Sequence, residues 1–216
     1  VNSIVSAFGV LANLADDMRH LQRNEIGEVG EHFEAKQVGS STMPQKRNPI
    51  NFENVKSMWK EMMPRMMTMY MDQLSEHQRD LTNSASMRFI PEILAGFYVS
   101  VIRLERIMSS LAVDKANMKK NFDMSKHLIV AEPLYILLAA NGHPDAHEYA
   151  REMTLKAQME GKPLIELVKK DKPIQPYLKK FSKKQLGILY NSEKYTGIAA
   201  EKTEMVCEMW KKELRI

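Results

Sequence analysis

The chain has 216 residues, 44% of them hydrophobic and 27% charged, with 31 Lys and Arg against 27 Asp and Glu for a net charge of +4. That length and balance exclude a mainly disordered chain and allow one ordinary domain or two small ones with a real core. No apolar run approaches the roughly 18 residues of a membrane span, and no basic-then-apolar leader opens the sequence. The single cysteine, Cys207, rules out an intrachain disulfide framework or a Cys-based zinc site and suits a reducing compartment, so a soluble cytoplasmic protein is expected.

Nine Gly and nine Pro against 17 Met mean few helix breakers, and no apolar/polar alternation is long enough for a sheet, so the fold class predicted is all-α. Val1, Ile4, Phe8, Leu11, Ala15 and Met18 alternate three and four apart, the seam of a helix that faces another. Over 52–74, Val55, Met58, Trp59, Met62, Met66, Met69 and Tyr70 form an apolar side, with Pro64 placed to kink the helix. Met87, Ile90, Leu94, Phe97, Val101, Leu104, Met108 and Leu111 predict a long helix packed nearly parallel or antiparallel to others. The methionines read as core filler. These seams outnumber the partners the chain supplies, so further subunits or further sequence are expected to meet some of them. Lys169, Lys170, Lys172, Lys179, Lys180, Lys183 and Lys184 lie among Pro173 and Pro176. They read as a solvated surface and not as a nucleic-acid patch, since no nucleic-acid motif accompanies them.

Residues 27–49, GEVGEHFEAKQVGSSTMPQKRNP, break the helical period. A segment of about twenty residues without helical pattern inside a helical chain is characteristic of lids and binding loops. Gly39 frees the backbone, Ser40, Ser41 and Thr42 offer hydroxyls and amides, Lys46 and Asn48 add a cation and an amide, and Pro44 and Pro49 stiffen the ends. Free amides beside a lysine suit a carboxylate or phosphate. Glu53, at the start of the next helix, can hold Lys46 or Asn48 and favours that helix N-terminus. By composition alone, a surface loop of ordinary turn residues explains the segment equally well. In RDLTNSASMR, Ser84 lies near a helix N-terminus, Arg88 one turn further on the same face, and Arg79 ahead of both. The three can bind a dianion, or they are a cap with two surface arginines.

GSSTMPQKRNP at 39–49 resembles the GSSxMPxKxNP signature of the fumarase/aspartase superfamily at all eight defined positions. The Arg79, Ser84, Arg88 spacing is similar to that of the adenylosuccinate lyase family, where these groups bind the nucleotide phosphate. NSEKYTGIAAEKTEMV, with Tyr195 and Gly197, also resembles the end of that family. The resemblance implies a long-helix bundle over 1–111, holding the signature loop 27–49, and a small C-terminal helical domain over 112–216. It implies elimination of fumarate from a succinyl group: Ser40 is the base, Lys46 and Asn48 hold the substrate carboxylate, and Ser41, Thr42, Met43 and Glu53 complete the contacts. Arg79, Ser84 and Arg88 take the phosphate, and neither metal nor other cofactor is needed.

Family members run to roughly twice this length, with a general-acid histidine in an upstream motif. None of His20, His32, His77, His127, His143 and His147 sits in such a context. His77, in EHQRD, is as well placed to touch the ligand as to pack. The expectation is therefore the C-terminal half of a lyase, inactive alone, working in a homotetramer whose active sites combine three subunits, with no membrane or nucleic-acid partner. Argininosuccinate lyase and the carboxymuconate cycloisomerase share the superfamily, but the Arg-Ser-Arg set points to a phosphate-bearing substrate. A non-catalytic helical scaffold has no reason to keep Ser40, Lys46, Asn48 and Glu53 together.

Overall fold

The computed structural model describes residues 1–32, 47–74, 77–78 and 80–216. In chain order these form α1 (Asn2–Leu21), β1 (Val29–Gly30), α2 (Ile50–Met62), α3 (Met66–Met71), α4 (Ile90–Ser109), β2 (Ala112–Val113), α5 (Lys115–Ile129), α6 (Ala131–Ala140), α7 (Ala146–Glu160), α8 (Leu164–Lys170), α9 (Gln175–Leu178), α10 (Lys183–Tyr190) and α11 (Ala199–Leu214). The regular structure among the described residues is thus almost wholly helical. The two strands form one short antiparallel pairing, Val29 opposite Val113 and Gly30 opposite Ala112. No helix among the described residues is long and apolar enough to cross a membrane.

The chain divides into two compact units, Val1–Lys119 and Lys120–Ile216. The division falls inside α5 and not between 111 and 112, because the first turn of α5 is tied backward. The Asp114 amide donates to the Glu28 carbonyl at 2.9 Å, and Asn117 Nδ2 donates to the Gly27 carbonyl at 3.2 Å.

In the first unit, α1, α2 and α4 share one core. The α1 seam packs as its spacing predicts, with Phe8 and Ala15 buried and Val1, Ile4, Leu11 and Met18 packed around them. Phe8 meets Phe97 edge-on, with ring centroids 5.6 Å apart. Lys56 on α2 pairs with Asp16 on α1 at 2.7 Å. Pro64 does more than kink its helix: Met63–Arg65 is a 3-10 turn that separates α2 from α3, since proline removes a helical donor and crowds the preceding turn. Phe52, Val55 and Met62 are buried and Met58, Trp59, Met66 and Met69 pack beside them, but Tyr70 is exposed.

The buried row of α4 differs from the predicted one. Ile93, Gly96, Ser100, Leu104 and Ile107 face the core, while Leu94 is exposed and Met87 is exposed in a 3-10 turn ahead of the helix. Two small residues buried here let the helices approach closely. A Cβ on Gly96 would lie 3.1 Å from the methyl carbons of Met58 and Met62. Ser100 satisfies its hydroxyl on the Gly96 carbonyl at 2.8 Å. Helix α2 runs antiparallel to α4, with Arg65 bonded to Glu92 at 3.0 Å at one end.

The second unit buries Leu134, Leu138, Ala150, Leu164, Val168, Ile174 and Leu189 from α6, α7, α8 and α10 together with the α8–α9 connection. Asp145 caps α7, accepting from the Glu148 amide, and Ser182 with Gln185 forms a reciprocal capping box on α10. All seven lysines of the 169–184 cluster are exposed.

Candidate active site

Of the residues expected to act, Ser40, Ser41, Thr42, Met43, Lys46 and Arg79 lie outside the described residues. The frame around the first five is described. Gly27, at φ +59°, turns the chain out of α1 in a backbone conformation that side chains disfavour, and the β1–β2 pairing then holds the outgoing strand. The Glu31 amide donates to Gln22 Oε1 at 2.9 Å.

The Glu31 carboxylate reaches across to the start of α2. Its Oε1 accepts from the amides of Asn51 and Phe52, each at 2.9 Å, and its Oε2 accepts from Asn51 Nδ2 at 2.6 Å. Asn51 Oδ1 in turn accepts from Arg103 Nη1 on α4 at 2.8 Å. The N-cap residue of α2, Pro49, makes no side-chain cap bond, so Glu31 supplies both the hydrogen bonds and the negative charge that a helix N-terminus favours. Glu53, expected in that role, is exposed in the first turn, and no side chain among the described residues bonds to its carboxylate. Asn48, half-buried, stands two residues before the helix. Beside Glu31 and Asn51 opens a cleft of about 610 Å³, its polar wall completed by His32, Arg103, Arg106 and Ser110. Glu31, Asn51 and Arg103 had no local signal in the sequence, because their bonds join positions 20 and 52 residues apart.

Ser84 and Arg88 are elsewhere. Neither is in α4: Ser84 is in the turn ahead of it and Arg88 in the 3-10 segment Ser86–Phe89, so they do not share a helix face as predicted. Both are exposed. Their turn is held by Asp80, which accepts from the Thr82 amide and hydroxyl at 2.8 and 2.6 Å, and by Asp72, which accepts from Ser86 Oγ at 2.6 Å. Arg103 contacts the α2 start near the C-terminal end of α4, and Arg88 precedes its N-terminal end. Fifteen residues at a helical rise of 1.5 Å put them roughly 22 Å apart along the axis. Within the chain, then, Asn48 and Glu53 sit at one end of α4 and Ser84 and Arg88 at the other. His77 is exposed in the bend before that turn, and His147 is exposed on α7 with its ring against Tyr135. Among the described residues, no three His, Cys, Asp or Glu side chains are grouped as metal ligands would be.

The helical architecture points to a class before it points to a family. The first unit matches a family model described as "Lyase" over residues 4–63. The chain superposes on 3-carboxy-cis,cis-muconate lactonizing enzyme from Pseudomonas putida with a TM-score of 0.70 and 25% identity, covering 91% of this chain and 42% of that one. A second family model, "Adenylosuccinate lyase C-terminal", matches residues 75–190, and the chain belongs to the adenylosuccinate lyase family. Adenylosuccinate lyase of Pyrococcus abyssi is 38% identical over 199 residues, which are 91% of this chain and 43% of that protein. The enzyme of Methanothermobacter thermautotrophicus is 35% identical over 211 residues, 92% of this chain and 46% of that one. The chain thus spans less than half the length of the curated relatives it matches.

Proposed function

We propose that this chain is the part of a cytoplasmic adenylosuccinate lyase that carries the signature segment and the nucleotide contacts. The whole enzyme releases fumarate from adenylosuccinate, leaving AMP, and acts on the related succinyl-carboxamide imidazole ribotide of purine biosynthesis. The observation that carries this reading is the similarity to adenylosuccinate lyases along nine-tenths of the chain, in a sequence that keeps the full signature at 39–49.

Ser40 Oγ, as its alkoxide, takes the proton from the succinyl carbon next to a carboxylate. The electron pair left behind delocalises into that carboxylate, then forms the new C=C bond as the C–N bond breaks. An acid protonates the departing nitrogen; the family supplies it as a histidine from upstream sequence. A serine hydroxyl is a very weak base, so the site must stabilise both the alkoxide and the doubly charged carboxylate. Lys46, Asn48 and the amides and hydroxyls of Ser41 and Thr42 serve there. Met43 packs on the substrate, Glu53 orients its neighbours, and Arg79, Ser84 and Arg88 hold the phosphate. The placement of Asn48 and Ser84 at opposite ends of α4 supports sites assembled from several copies in a homotetramer, since one chain does not join them.

The cycloisomerase reading is favoured only by likeness of fold. It leaves the Arg79, Ser84, Arg88 set without a phosphate to bind.

The test restores the upstream half and follows adenylosuccinate by ultraviolet absorbance, with Ser40→Ala alongside. Turnover should fall by about 10²-fold or more in the variant, with product binding kept. Activity above about 10% of wild type would remove Ser40 from the role of base.

A further inference from the structure

Glu31 lies outside the signature, yet its carboxylate bonds across the two chain ends that bracket residues 33–46. We propose that Glu31 is a positioning residue of the elimination, setting through Asn51 and Arg103 the start of α2 and with it Asn48 and Glu53. The inference rests on the elimination proposed above.

The case lies in the polarity of the chain of bonds. Glu31 can only accept. Arg103 can only donate. Asn51 stands between them with one amide face to each: Nδ2 donates to Glu31 at 2.6 Å and Oδ1 accepts from Arg103 at 2.8 Å. A carboxylate on one side and a guanidinium on the other therefore leave the Asn51 side chain one orientation. The same carboxylate fixes the Asn51 and Phe52 amides, and the Phe52 side chain is fully buried in the core of the first unit. The first turn of α2 is thereby tied to the strand β1, to α4 and to the core at once. A backbone so fixed is what charge-stabilising groups need, because a displacement of about 1 Å can lower a rate about 10²-fold.

Two isosteric substitutions break this polarity and their combination restores it. In Glu31→Gln, whichever way the new amide turns, its NH2 group meets a donor, either Asn51 Nδ2 or the two backbone amides. In Asn51→Asp, two carboxylates meet. In the double variant, the amide nitrogen introduced at position 31 donates to the carboxylate introduced at position 51. That carboxylate still accepts from Arg103, and the side-chain carbonyl at position 31 still accepts from the two backbone amides.

In the full-length enzyme each single variant should lower kcat by about tenfold or more, with KM for adenylosuccinate changed less than about threefold. The double variant should return kcat to within about threefold of wild type. A wild-type kcat in Glu31→Gln, or a double variant no better than the worse single one, overturns the proposal. If either single variant fails to fold, Glu31→Asp replaces it, keeping the charge on a shorter arm. An intermediate loss of kcat is expected there, and wild-type kcat counts against the role. If the wild-type enzyme does not act on adenylosuccinate at all, the reaction reading fails separately. Amide hydrogen exchange at Asn51 and Phe52 in the same proteins then decides the clamp. Exchange about tenfold faster in the single variants and restored in the double supports it; equal exchange in all four overturns it.

Discussion

Replacing Phe52 with alanine tests whether α2 is as firmly held as its contacts imply. Phe52 is fully buried, and its backbone amide is fixed by Glu31 at 2.9 Å. Truncating a buried phenylalanine costs about 3–5 kcal/mol, less where neighbours can collapse into the void. Here the helix is tied on the same residue, so little relaxation is available and about 4 kcal/mol is expected, a large share of the roughly 5–15 kcal/mol that holds an ordinary domain folded. With a urea slope near 2 kcal/mol per molar, the unfolding midpoint should drop by about 2 M. Tryptophan fluorescence reports the transition, because Trp59 packs against the first core while Trp210 is exposed. Tyr70→Ala, at an exposed position of α3, should move the midpoint by less than about 0.3 M, within the ±0.5 kcal/mol usual for surface changes. A loss below about 1.5 kcal/mol for Phe52→Ala would refute the rigid placement of α2, since only a mobile helix start could refill the cavity.

Asp16 accepts from Lys56 and Arg19, and these bonds lower its pKa from 3.8 to about 2. A depressed carboxylate stabilises the fold above its unfolded pKa and loses that contribution as pH falls from about 4 through about 2. Wild type should therefore exceed Asp16→Asn in stability at pH 6 by about 1 kcal/mol, the modest figure of a partly exposed pair. The difference should shrink from about pH 4 downward and vanish only below about pH 2 in denaturant titrations at each pH followed by circular dichroism; a constant difference would count against the ion pair. Gly27→Ala should destabilise by about 1–2 kcal/mol in thermal melts, because alanine resists the left-handed backbone and its Cβ would lie 3.0 Å from Asn117 Nδ2. An unchanged melting temperature would mean that the turn has another accessible shape.

The sequence showed some elements cleanly and others misleadingly, for identifiable reasons. The α1 seam was legible because one apolar row faces one core. In α4 apolar residues lie on two sides: Leu94, Tyr98, Val99 and Ile102 are exposed, while Gly96 and Ser100 are buried. Counting hydrophobic positions favours the larger side chains, whereas close helix approach selects the small ones. Ser40, Lys46 and their neighbours stand out in the sequence as a contiguous signature, but they lie outside the described residues. The clamp was not, because Glu31, Asn51 and Arg103 meet only once three separate elements have packed. Ser84 and Arg88 were singled out by spacing, but a helix face was assumed where the chain makes a 3-10 turn.

Joining Glu31 to Asn51 also separates architecture from chemistry in evolutionary terms. The clamp joins positions 20 residues apart in sequence, and the bonds that hold the start of α2 come from Glu31, from Arg103 and from the buried Phe52. As a matter of loop-closure entropy, doubling the length between two joined positions costs only about 0.6 kcal/mol. The three residues of the clamp can thus be inherited as a unit, whatever chemistry the neighbouring positions carry.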